Sequence, residues 1–352
     1  MSLNPIDAAD ALAQLDRFSA IIDARSPAEY ALDRIPGAVN WPSLDDAERA
    51  QIGTEYKQIS PFAARRRGAA IVARNVAMHI ERHVLELPRE WSPLVYCWRG
   101  GQRSGALALV LGQIGFRVQL LEGGYQRYRR AVIAALETLP GRFEFRVVCG
   151  PTGSGKSQLL RALAVRGEQM LDLEALANHR GSVLGLVPGH TQPSPKEFDS
   201  RVWDRLRRFD PARPVWIESE SKKVGDLRVP EALIERMRSS PCIWLELPTE
   251  RRVELLLGEY DFFVADSAAF CARLDALRVL RGIATVERWQ ELARTGENAT
   301  VVLELLESHY DPIYRDSLRR NFGATSSAGQ RVEWRGDAAS LDAAAAQLIR
   351  VG

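Results

Sequence analysis

The sequence predicts two α/β domains, each built around a parallel sheet, with a helical region near the end of the second. The chain has 352 residues, more than one hydrophobic core usually organises. Residues 93–124 read as strand, loop, helix and strand, the order of a parallel α/β sheet. Residues 143–163 repeat strand, loop and helix with a glycine-rich loop. The turn at Pro140-Gly141 marks the boundary, so the predicted domains are residues 1–139 and 140–352.

The elements of the first domain alternate as such a sheet requires. Ala20–Asp23 is a short apolar run before a polar turn, and Pro93–Cys97 is a second run rich in β-formers, so both are predicted strands. Residues 61–86 and 104–116 have the length and composition of helices, and Gly115 ends the second of them. Another strand is predicted in the stretch RVQLLEGG that follows.

The second domain continues this alternation and then becomes helical. After the strand that precedes the glycine-rich loop, three further apolar runs are predicted to be strands: residues 169–174, 215–221 and 242–248. Residues 250–320 have a helical composition throughout. Residues 331–336 predict a last strand, and residues 337–351 predict a closing helix.

Composition is typical of a globular protein of the cytoplasm. Hydrophobic residues make up 46% of the chain and charged residues 26%, and the net charge of +2 gives no global field for nucleic acid. The sequence lacks the run of about 20 apolar residues that crosses a bilayer, and it does not begin like a signal peptide. The four cysteines form no C-x-x-C pair, which argues against a structural zinc site and a disulfide framework.

One of the cysteines, Cys97, stands at the carboxyl end of a predicted strand, in a loop that leads into a helix. Helix N-termini carry free amides and a partial positive charge, which favour a thiolate. Gly100 and Gly101 allow backbone amides to line an anion cradle, and Arg99 and Arg103 add positive charge. We therefore predict a nucleophilic cysteine in an anion-binding segment, the Cys97 loop, which consists of Cys97, Trp98, Arg99, Gly100, Gly101, Gln102 and Arg103.

A second anion-binding loop follows about fifty residues later and fits the pattern G-x-x-x-x-G-K-S. This P-loop consists of Gly150, Pro151, Thr152, Gly153, Ser154, Gly155, Lys156 and Ser157. Its glycines let backbone amides face a polyphosphate, Lys156 reaches the outer oxygens, and the Ser157 hydroxyl is a ligand for Mg²⁺. The pattern specifies a phosphate chain and leaves open whether ATP, GTP or a prenyl diphosphate carries it.

Acidic and basic side chains follow the predicted strands of the second domain. Four of them are candidates for Mg²⁺ coordination or base chemistry, with simple solvated strand ends as the alternative: Asp172, Glu174, Glu218 and Glu220. Lys222 and Lys223 are candidates for phosphate contact, or else surface residues. Residues 178–198 are long for a connecting loop, and His179 and Arg180 in it are candidate substrate contacts.

Arginine dominates the basic residues and is clustered. Only five of the 47 basic residues are lysine, and the planar guanidinium binds two phosphate oxygens at once. Two clusters are candidates for phosphate binding, and the alternative is that they only form a solvated surface. They are Arg65, Arg66 and Arg67, and then Arg127, Arg129 and Arg130. The segment with Tyr310, Tyr314 and Arg315 predicts an aromatic and basic RNA surface.

About 120 residues of the predicted first domain resemble a rhodanese domain. The resemblance is carried by IIDARSPAEY, by RIPGAVNWP and by the cysteine loop closing on Arg103, which occur in this order. It implies a loop cysteine that carries sulfur or selenium. Two features differ from the family pattern: Arg34 replaces the usual histidine before Ile-Pro-Gly, and the loop is one residue longer than in common sulfurtransferases. The longer spacing is that of cysteine-dependent phosphatases and predicts a tetrahedral oxyanion as substrate.

The whole chain resembles the family of tRNA 2-selenouridine synthases. CWRGGQRSGALA, EGGYQRYRR, GPTGSGKS, LDLEALANHRGS and WIESESKKVG carry the resemblance, which extends from about residue 18 to the end. It implies geranylation of wobble 2-thiouridine by geranyl diphosphate at the P-loop, with Mg²⁺, and then replacement of the geranylthio group by selenium from selenophosphate at Cys97. It also implies tRNA as a partner and an enzyme that produces selenophosphate. The candidate tRNA contacts are Arg65, Arg66, Arg67, Arg127, Arg129, Arg130 and Arg315.

Two other interpretations remain at this point. The spacing from Cys97 to Arg103 also suits a phosphatase or arsenate reductase fused to a small-molecule kinase. The other alternative is a non-enzymatic module in which a P-loop switch accompanies a domain that only binds a partner.

Overall fold

The computed structural model describes residues 4–180, 189–261, 265–326 and 329–351. The chain divides into two compact units. Unit 1 comprises Met1–Leu136 together with Pro193–Asp204, and unit 2 comprises Glu137–Gln192 together with Arg205–Gly352. Unit 1 thus includes a segment that follows the P-loop by more than thirty residues, a feature without a local sequence signal. The boundary between residues 139 and 140 stays a prediction.

Residues 4–138 contain five strands and six α-helices. The strands are β1 (Asn4–Ile6), β2 (Ala20–Asp23), β3 (Ala38–Asn40), β4 (Pro93–Tyr96) and β5 (Gln119–Leu121). The helices are α1 (Ala8–Ala13), α2 (Pro27–Leu32), α3 (Asp46–Gln58), α4 (Pro61–His83), α5 (Gln102–Ile114) and α6 (Gly124–Thr138). The strands and helices predicted in this part are confirmed, and Gly115 ends α5 with a positive φ of 117°.

The sheet of unit 1 is parallel, with the strand order β1-β5-β4-β2-β3. Ile22 of β2 pairs with Val95 of β4, and both side chains are fully buried. Leu107 and Leu111 of α5 pack into the same core. Because β4 is buried along its whole length, the residue that follows it, Cys97, begins its loop from a rigid support.

The remainder of the chain contains seven strands and eleven α-helices among the described residues. The strands are β6 (Phe145–Cys149), β7 (Gln169–Leu171), β8 (Val215–Glu218), β9 (Lys223–Val224), β10 (Leu227–Arg228), β11 (Cys242–Glu246) and β12 (Gln330–Glu333). The helices are α7 (Lys156–Val165), α8 (Leu173–Ala177), α9 (Pro195–Arg207), α10 (Glu231–Arg238), α11 (Thr249–Glu259), α12 (Ser267–Leu274), α13 (Arg278–Arg281), α14 (Ile283–Arg294), α15 (Asn298–Leu305), α16 (Asp311–Ser326) and α17 (Ala338–Val351).

The main sheet of unit 2 is also parallel, with the strand order β12-β11-β6-β8-β7. Val148 of β6 pairs with Glu218 of β8, so the P-loop and the acidic end of β8 start from neighbouring positions. Trp216 and Leu245 are buried in the core of this sheet. The predicted α/β class with a helical C-terminal region is confirmed. No helix within the described ranges is long and apolar enough to span a membrane.

The strands predicted over residues 215–221, 242–248 and 331–336 end two or three residues early, and the strand predicted over residues 169–174 gives way to a helix. Residues 169–174 were predicted to be extended, but β7 ends at Leu171 and Asp172 caps helix α8, accepting a hydrogen bond of 2.8 Å from the backbone N–H of Ala175. Short polar side chains cap helices because they satisfy amides that the helix leaves unpaired. Glu174 therefore lies in the first turn of α8 and does not end a strand.

Candidate functional site

The start of the Cys97 loop is held by hydrogen bonds from helix α6. Helix α6 begins next to it, and the N–H groups of Tyr125 and Gln126 donate to the carbonyls of Cys97 (2.8 Å) and Trp98 (3.1 Å). A trans peptide directs its N–H opposite to its carbonyl, so the amides of Trp98 and Arg99 point away from α6. Gly124 is required for this approach, because a Cβ there would lie 2.2 Å from the Cys97 carbonyl oxygen.

The thiol of Cys97 is buried and has a specific partner. Its side chain is 3% exposed, and the Ser104 hydroxyl donates a hydrogen bond of 3.0 Å to Cys97 Sγ. Ser104 lies in the first turn of α5, so the sulfur is adjacent to that helix N-terminus. A hydroxyl donor stabilises negative charge on sulfur and weakly affects the neutral thiol. Ser104 is a site residue that the spacing from Cys97 to Arg103 does not predict, although it directly follows Arg103.

Arg103 is held by a carboxylate on α2. Its Nη1 donates to Glu29 Oε2 at 2.9 Å, and the same oxygen lies 2.9 Å from Arg49 Nε. Burial works to raise the pKa of Glu29, but Arg103 and Arg49 outweigh it and the pKa is lowered. The sequence signal for Glu29 is the pattern Ser26-x-x-Glu29, a capping box at the start of α2.

The remaining residues of the Cys97 loop divide between packing and solvent. Trp98 stacks on Tyr125 with ring centroids 5.4 Å apart, and Tyr125 donates a hydrogen bond of 2.6 Å to Asp33. Arg99 and Gln102 are exposed. Gly100 has a φ of 68° and a Cβ there would lie 2.8 Å from a backbone oxygen, so only glycine fits.

The P-loop follows β6 directly and ends in helix α7. Gly153 and Gly155 have positive φ angles of 76° and 86°. A Cβ on Gly155 would lie 2.3 Å from the ring of Trp334, whose Nε1 donates to the Ser154 carbonyl at 2.8 Å. Arg252, which is buried, donates to the Thr152 carbonyl at 2.9 Å. The loop is thus held in shape by residues far away in the chain.

Lys156 and Ser157 face an acidic cluster at the end of β8. Lys156 Nζ lies 3.3 Å from Glu218 Oε1, and the Ser157 hydroxyl donates to Glu218 Oε2 at 2.9 Å. Carboxylate oxygens of Glu174, Glu218 and Glu220 lie within 4.8 Å of one another. Among the described residues, this acidic cluster is the one group of three or more His, Cys, Asp or Glu side chains with the spacing of a metal site.

The electrostatics of the acidic cluster are those of crowded, partly buried charges. Burial and the neighbouring carboxylates raise the pKa of Glu174 to about 10 and that of Glu220 to about 8. Burial works to lower the pKa of Lys156, but Glu218 and the other nearby negative groups outweigh it, and the pKa is raised. Oxygen ligands with mutual repulsion suit a hard divalent cation, which relieves that repulsion.

Other predicted substrate contacts lie in different surroundings. His179 is buried, and Arg180 donates to the carbonyl of Glu259 and lies over the ring of Tyr260, 4.8 Å from its centroid. Lys222 pairs with Glu231 at the surface, and Lys223 is exposed in β9. Residues 181–188 of the long predicted loop lie outside the described residues.

The predicted arginine runs are divided by the structure into exposed and paired members. Arg67 lies 3.4 Å from Glu55, and Arg129 forms an ion pair with Asp199. Arg67 is exposed in spite of this contact, and so are the following members: Arg65, Arg66, Arg127, Arg130 and Arg315. Tyr314 does not belong to an open RNA surface as predicted, because its hydroxyl accepts a hydrogen bond of 2.7 Å from the P-loop amide of Gly150.

Sequence comparisons agree with this two-part description. A family profile described as tRNA 2-selenouridine synthase AAA domain matches residues 143–282, and a rhodanese-like domain profile matches residues 7–131. A protein from Cronobacter sakazakii named tRNA 2-selenouridine synthase is 34% identical, covering 96% of this chain and 95% of its own. Proteins of the same name from Nitrosomonas europaea and Nitrosomonas eutropha are 30% and 31% identical, covering 85% and 90% of this chain and 89% and 93% of their own.

Proposed function

Since this chain belongs to the tRNA 2-selenouridine synthase family, we propose that it converts 2-thiouridine in tRNA to 2-selenouridine in two steps, acting in the cytoplasm. Geranyl diphosphate first alkylates the sulfur, and selenium from selenophosphate then replaces the geranylthio group. The observation that carries this proposal is that one chain holds a P-loop with a Lys–Ser–carboxylate cluster and a cysteine loop whose sulfur accepts a hydrogen bond.

The P-loop unit is assigned to the first step. The C–O bond of geranyl diphosphate breaks, the thiouridine sulfur forms a bond to that carbon, the base loses its N3 proton, and diphosphate leaves. Lys156 and the amides at the start of α7 bind the charge that develops on the diphosphate. Glu174, Glu218, Glu220 and Ser157 fit a magnesium ion by donor type and spacing. When bound, Mg²⁺ would neutralise phosphate charge.

The Cys97 loop is assigned to the second step. An alkylated sulfur leaves as a thiol, whereas a thiocarbonyl sulfur is a poor leaving group. At C2 of the base the C–Se bond forms and the C–S bond breaks, and geranylthiol leaves with a proton. The P–Se bond breaks and water adds to phosphorus, so that selenophosphate ends as phosphate, and N3 of the base takes up the proton that it lost in the first step. Cys97, whose sulfur accepts a hydrogen bond from the Ser104 hydroxyl, binds the selenium donor. The donor itself requires a partner enzyme that produces selenophosphate.

The tRNA contacts are assigned first to arginines that the structure leaves exposed. Arg65 and Arg66 on α4 lie within one turn of Phe62, whose side chain is 72% exposed. An exposed aromatic ring beside guanidinium groups suits unpaired bases and their phosphates. Arg67 and Arg129 already neutralise carboxylates and are weaker candidates than their neighbours.

The direct test is incubation of the purified protein with thiolated tRNA, geranyl diphosphate and selenophosphate, followed by digestion and mass analysis of the nucleosides. We expect geranylated and then selenated uridine. Cys97→Ala should still geranylate the tRNA and should no longer insert selenium, because it keeps the P-loop intact. Absence of both products with the wild-type protein would refute the proposal. Phosphate release from a model ester, lost in Cys97→Ser, would instead support a phosphatase.

A further inference from the structure

Tyr314 connects the P-loop to the acidic cluster. Its hydroxyl accepts a hydrogen bond of 2.7 Å from the N–H of Gly150, the first residue of the P-loop. The same oxygen lies 2.9 Å from the Ser219 hydroxyl, and Ser219 stands between Glu218 and Glu220. A single phenol oxygen thus joins the loop that carries Lys156 to the strand end that carries two of the three carboxylates.

The ring of Tyr314 also faces the ammonium group of Lys156. Lys156 Nζ lies 5.5 Å from the centre of that ring, within the range of a cation–π interaction. Trp244 of β11 packs against the ring at 6.2 Å and limits its movement. Burial raises the pKa of Tyr314, so the hydroxyl stays protonated near neutrality and keeps its proton for a hydrogen bond.

Helix α16 is held at the P-loop independently of this hydroxyl. Asp311, one turn before Tyr314, forms two hydrogen bonds with Arg252, of 2.6 and 3.0 Å. Arg252 donates in turn to the Thr152 carbonyl. A π-helical turn, Leu306–Tyr310, immediately precedes Asp311, and such turns reset the face that a helix presents. Asp311 and Tyr314 therefore reach the P-loop from one helix face.

We propose that Tyr314 is a positioning residue for the geranyl transfer, fixing the separation between Lys156 and the carboxylates through its bridge from Gly150 to Ser219. This proposal rests on the proposed function, since it names a residue of the same site. The amide, the phenol and the serine hydroxyl form a chain of hydrogen bonds between two strand ends. Loss of the phenol oxygen leaves helix α16 anchored by Arg252 and Asp311. It also leaves β6 and β8 paired, since the Ser219 N–H donates to the Val148 carbonyl at 3.0 Å, but it releases Gly150, at the start of the P-loop, from Ser219.

The test compares Tyr314→Phe with the wild-type protein. The variant keeps the ring and its contact with Lys156 and removes only the oxygen. We expect kcat/KM for geranyl diphosphate to fall about tenfold, the equivalent of one hydrogen bond in the transition state. KM for tRNA and selenium insertion into tRNA geranylated beforehand should be unchanged. Ser219→Ala should give a similar loss, and the double variant should lose no more than the worse single variant.

The matched control is Ser240→Ala, which removes a serine hydroxyl bonded to a backbone carbonyl at 2.7 Å in the same unit. It should leave geranyl transfer unchanged. Wild-type kinetics for Tyr314→Phe, or an equal loss in the selenium step, would overturn the inference. Calorimetric titration with inorganic pyrophosphate and Mg²⁺ tests the role of Tyr314 separately from the proposed function, because it measures binding and does not require geranyl transfer. Pyrophosphate should bind Tyr314→Phe more weakly than wild type even if no geranylated tRNA forms, and equal affinity would also count against Tyr314.

Discussion

At the residue scale, the hydroxyl of Ser104 is the clearest test of how Cys97 works. It donates directly to Sγ at 3.0 Å, and both groups are buried. Ser104→Ala should lower the rate of selenium insertion up to about tenfold, because a hydrogen bond contributes roughly 0.5–1.5 kcal/mol. The measurement is single-turnover selenium insertion into geranylated tRNA, compared over a range of pH.

The geranyl step serves as the internal control for Ser104→Ala, since it belongs to the P-loop unit. Ser104→Thr keeps a hydroxyl and should recover part of the rate. An alanine variant as fast as wild type across the pH range would show that the hydroxyl only packs against the sulfur.

The carboxylates of Glu174 and Glu220 predict a dependence of stability on pH. Their folded pKa values, about 10 and about 8, lie above the value of 4.5 for an exposed glutamate. A group whose pKa is raised by folding stabilises the protein when protonated, so this contribution is lost as pH rises through the folded values. Without divalent cations, the melting temperature should fall between about pH 6 and about pH 9.

Magnesium should reverse this loss, because it binds the ionised carboxylates. The expected result is a larger increase in melting temperature from Mg²⁺ at the higher pH, measured by thermal unfolding with and without a chelator. Replacing both glutamates with glutamine should flatten the pH dependence. A magnesium effect that is equal at both pH values would argue against a cation site formed by these residues.

At the element scale, two glycine substitutions test whether the shape of the P-loop depends on its packing against Trp334. Gly155 and Gly167 both have a φ of 86°, but a Cβ meets the Trp334 ring at 2.3 Å only at Gly155 and meets nothing within 4 Å at Gly167. Gly167→Ala should cost about 1–2 kcal/mol of stability from backbone strain alone and leave geranyl transfer intact. Gly155→Ala should cost more and should abolish pyrophosphate binding.

The two substitutions are compared by denaturant unfolding and pyrophosphate titration. Because the backbone strain is the same in both, any difference between them reports the clash with Trp334. Equal stability and equal pyrophosphate affinity of the two variants would show that the tryptophan simply moves aside.

The parts of the site that could be predicted from sequence are those whose motif lies within one short stretch of the chain. The Cys97 loop and the P-loop each occupy one short stretch, and the strand before and the helix after set their geometry. Tyr314 and Arg252 have no such signal, because packing brings them to the P-loop from 164 and 100 positions away. Glu29 has only the capping-box pattern of α2, and it meets Arg103 from 74 positions away. The strand predicted over residues 169–174 is too long, because an acid that ends a strand and an acid that caps a helix, as Asp172 does, have the same local sequence.

At the scale of the whole molecule, the segment Pro193–Asp204 makes unit 1 discontinuous in sequence. Phe198 and Val202 of this segment are fully buried, and Trp203 lies edge-on to Tyr128 of α6 at 6.0 Å. Trp203→Ala should therefore destabilise unit 1 by about 3–5 kcal/mol, the usual result of emptying an aromatic site in a core.

The readout for Trp203→Ala is cysteine labelling followed by peptide mapping. Cys97 should become reactive toward a thiol reagent in mild denaturant, while Cys149 in the sheet of unit 2 stays protected. Ile133→Ala, at a position 46% exposed, is the control and should label like wild type. Simultaneous exposure of both cysteines would mean that the two units unfold as one.

The discontinuity of unit 1 also constrains the order of events on the ribosome. The core around Tyr128 lacks Trp203 until residue 203 has left the exit tunnel, and by then the whole P-loop has already been made. At translation rates of about 5–20 residues per second, this leaves the nascent first unit unfinished for several seconds. In a tandem fusion, the first domain can fold before the second is synthesised. In this chain, the core of unit 1 stays incomplete until the segment Pro193–Asp204 has been synthesised.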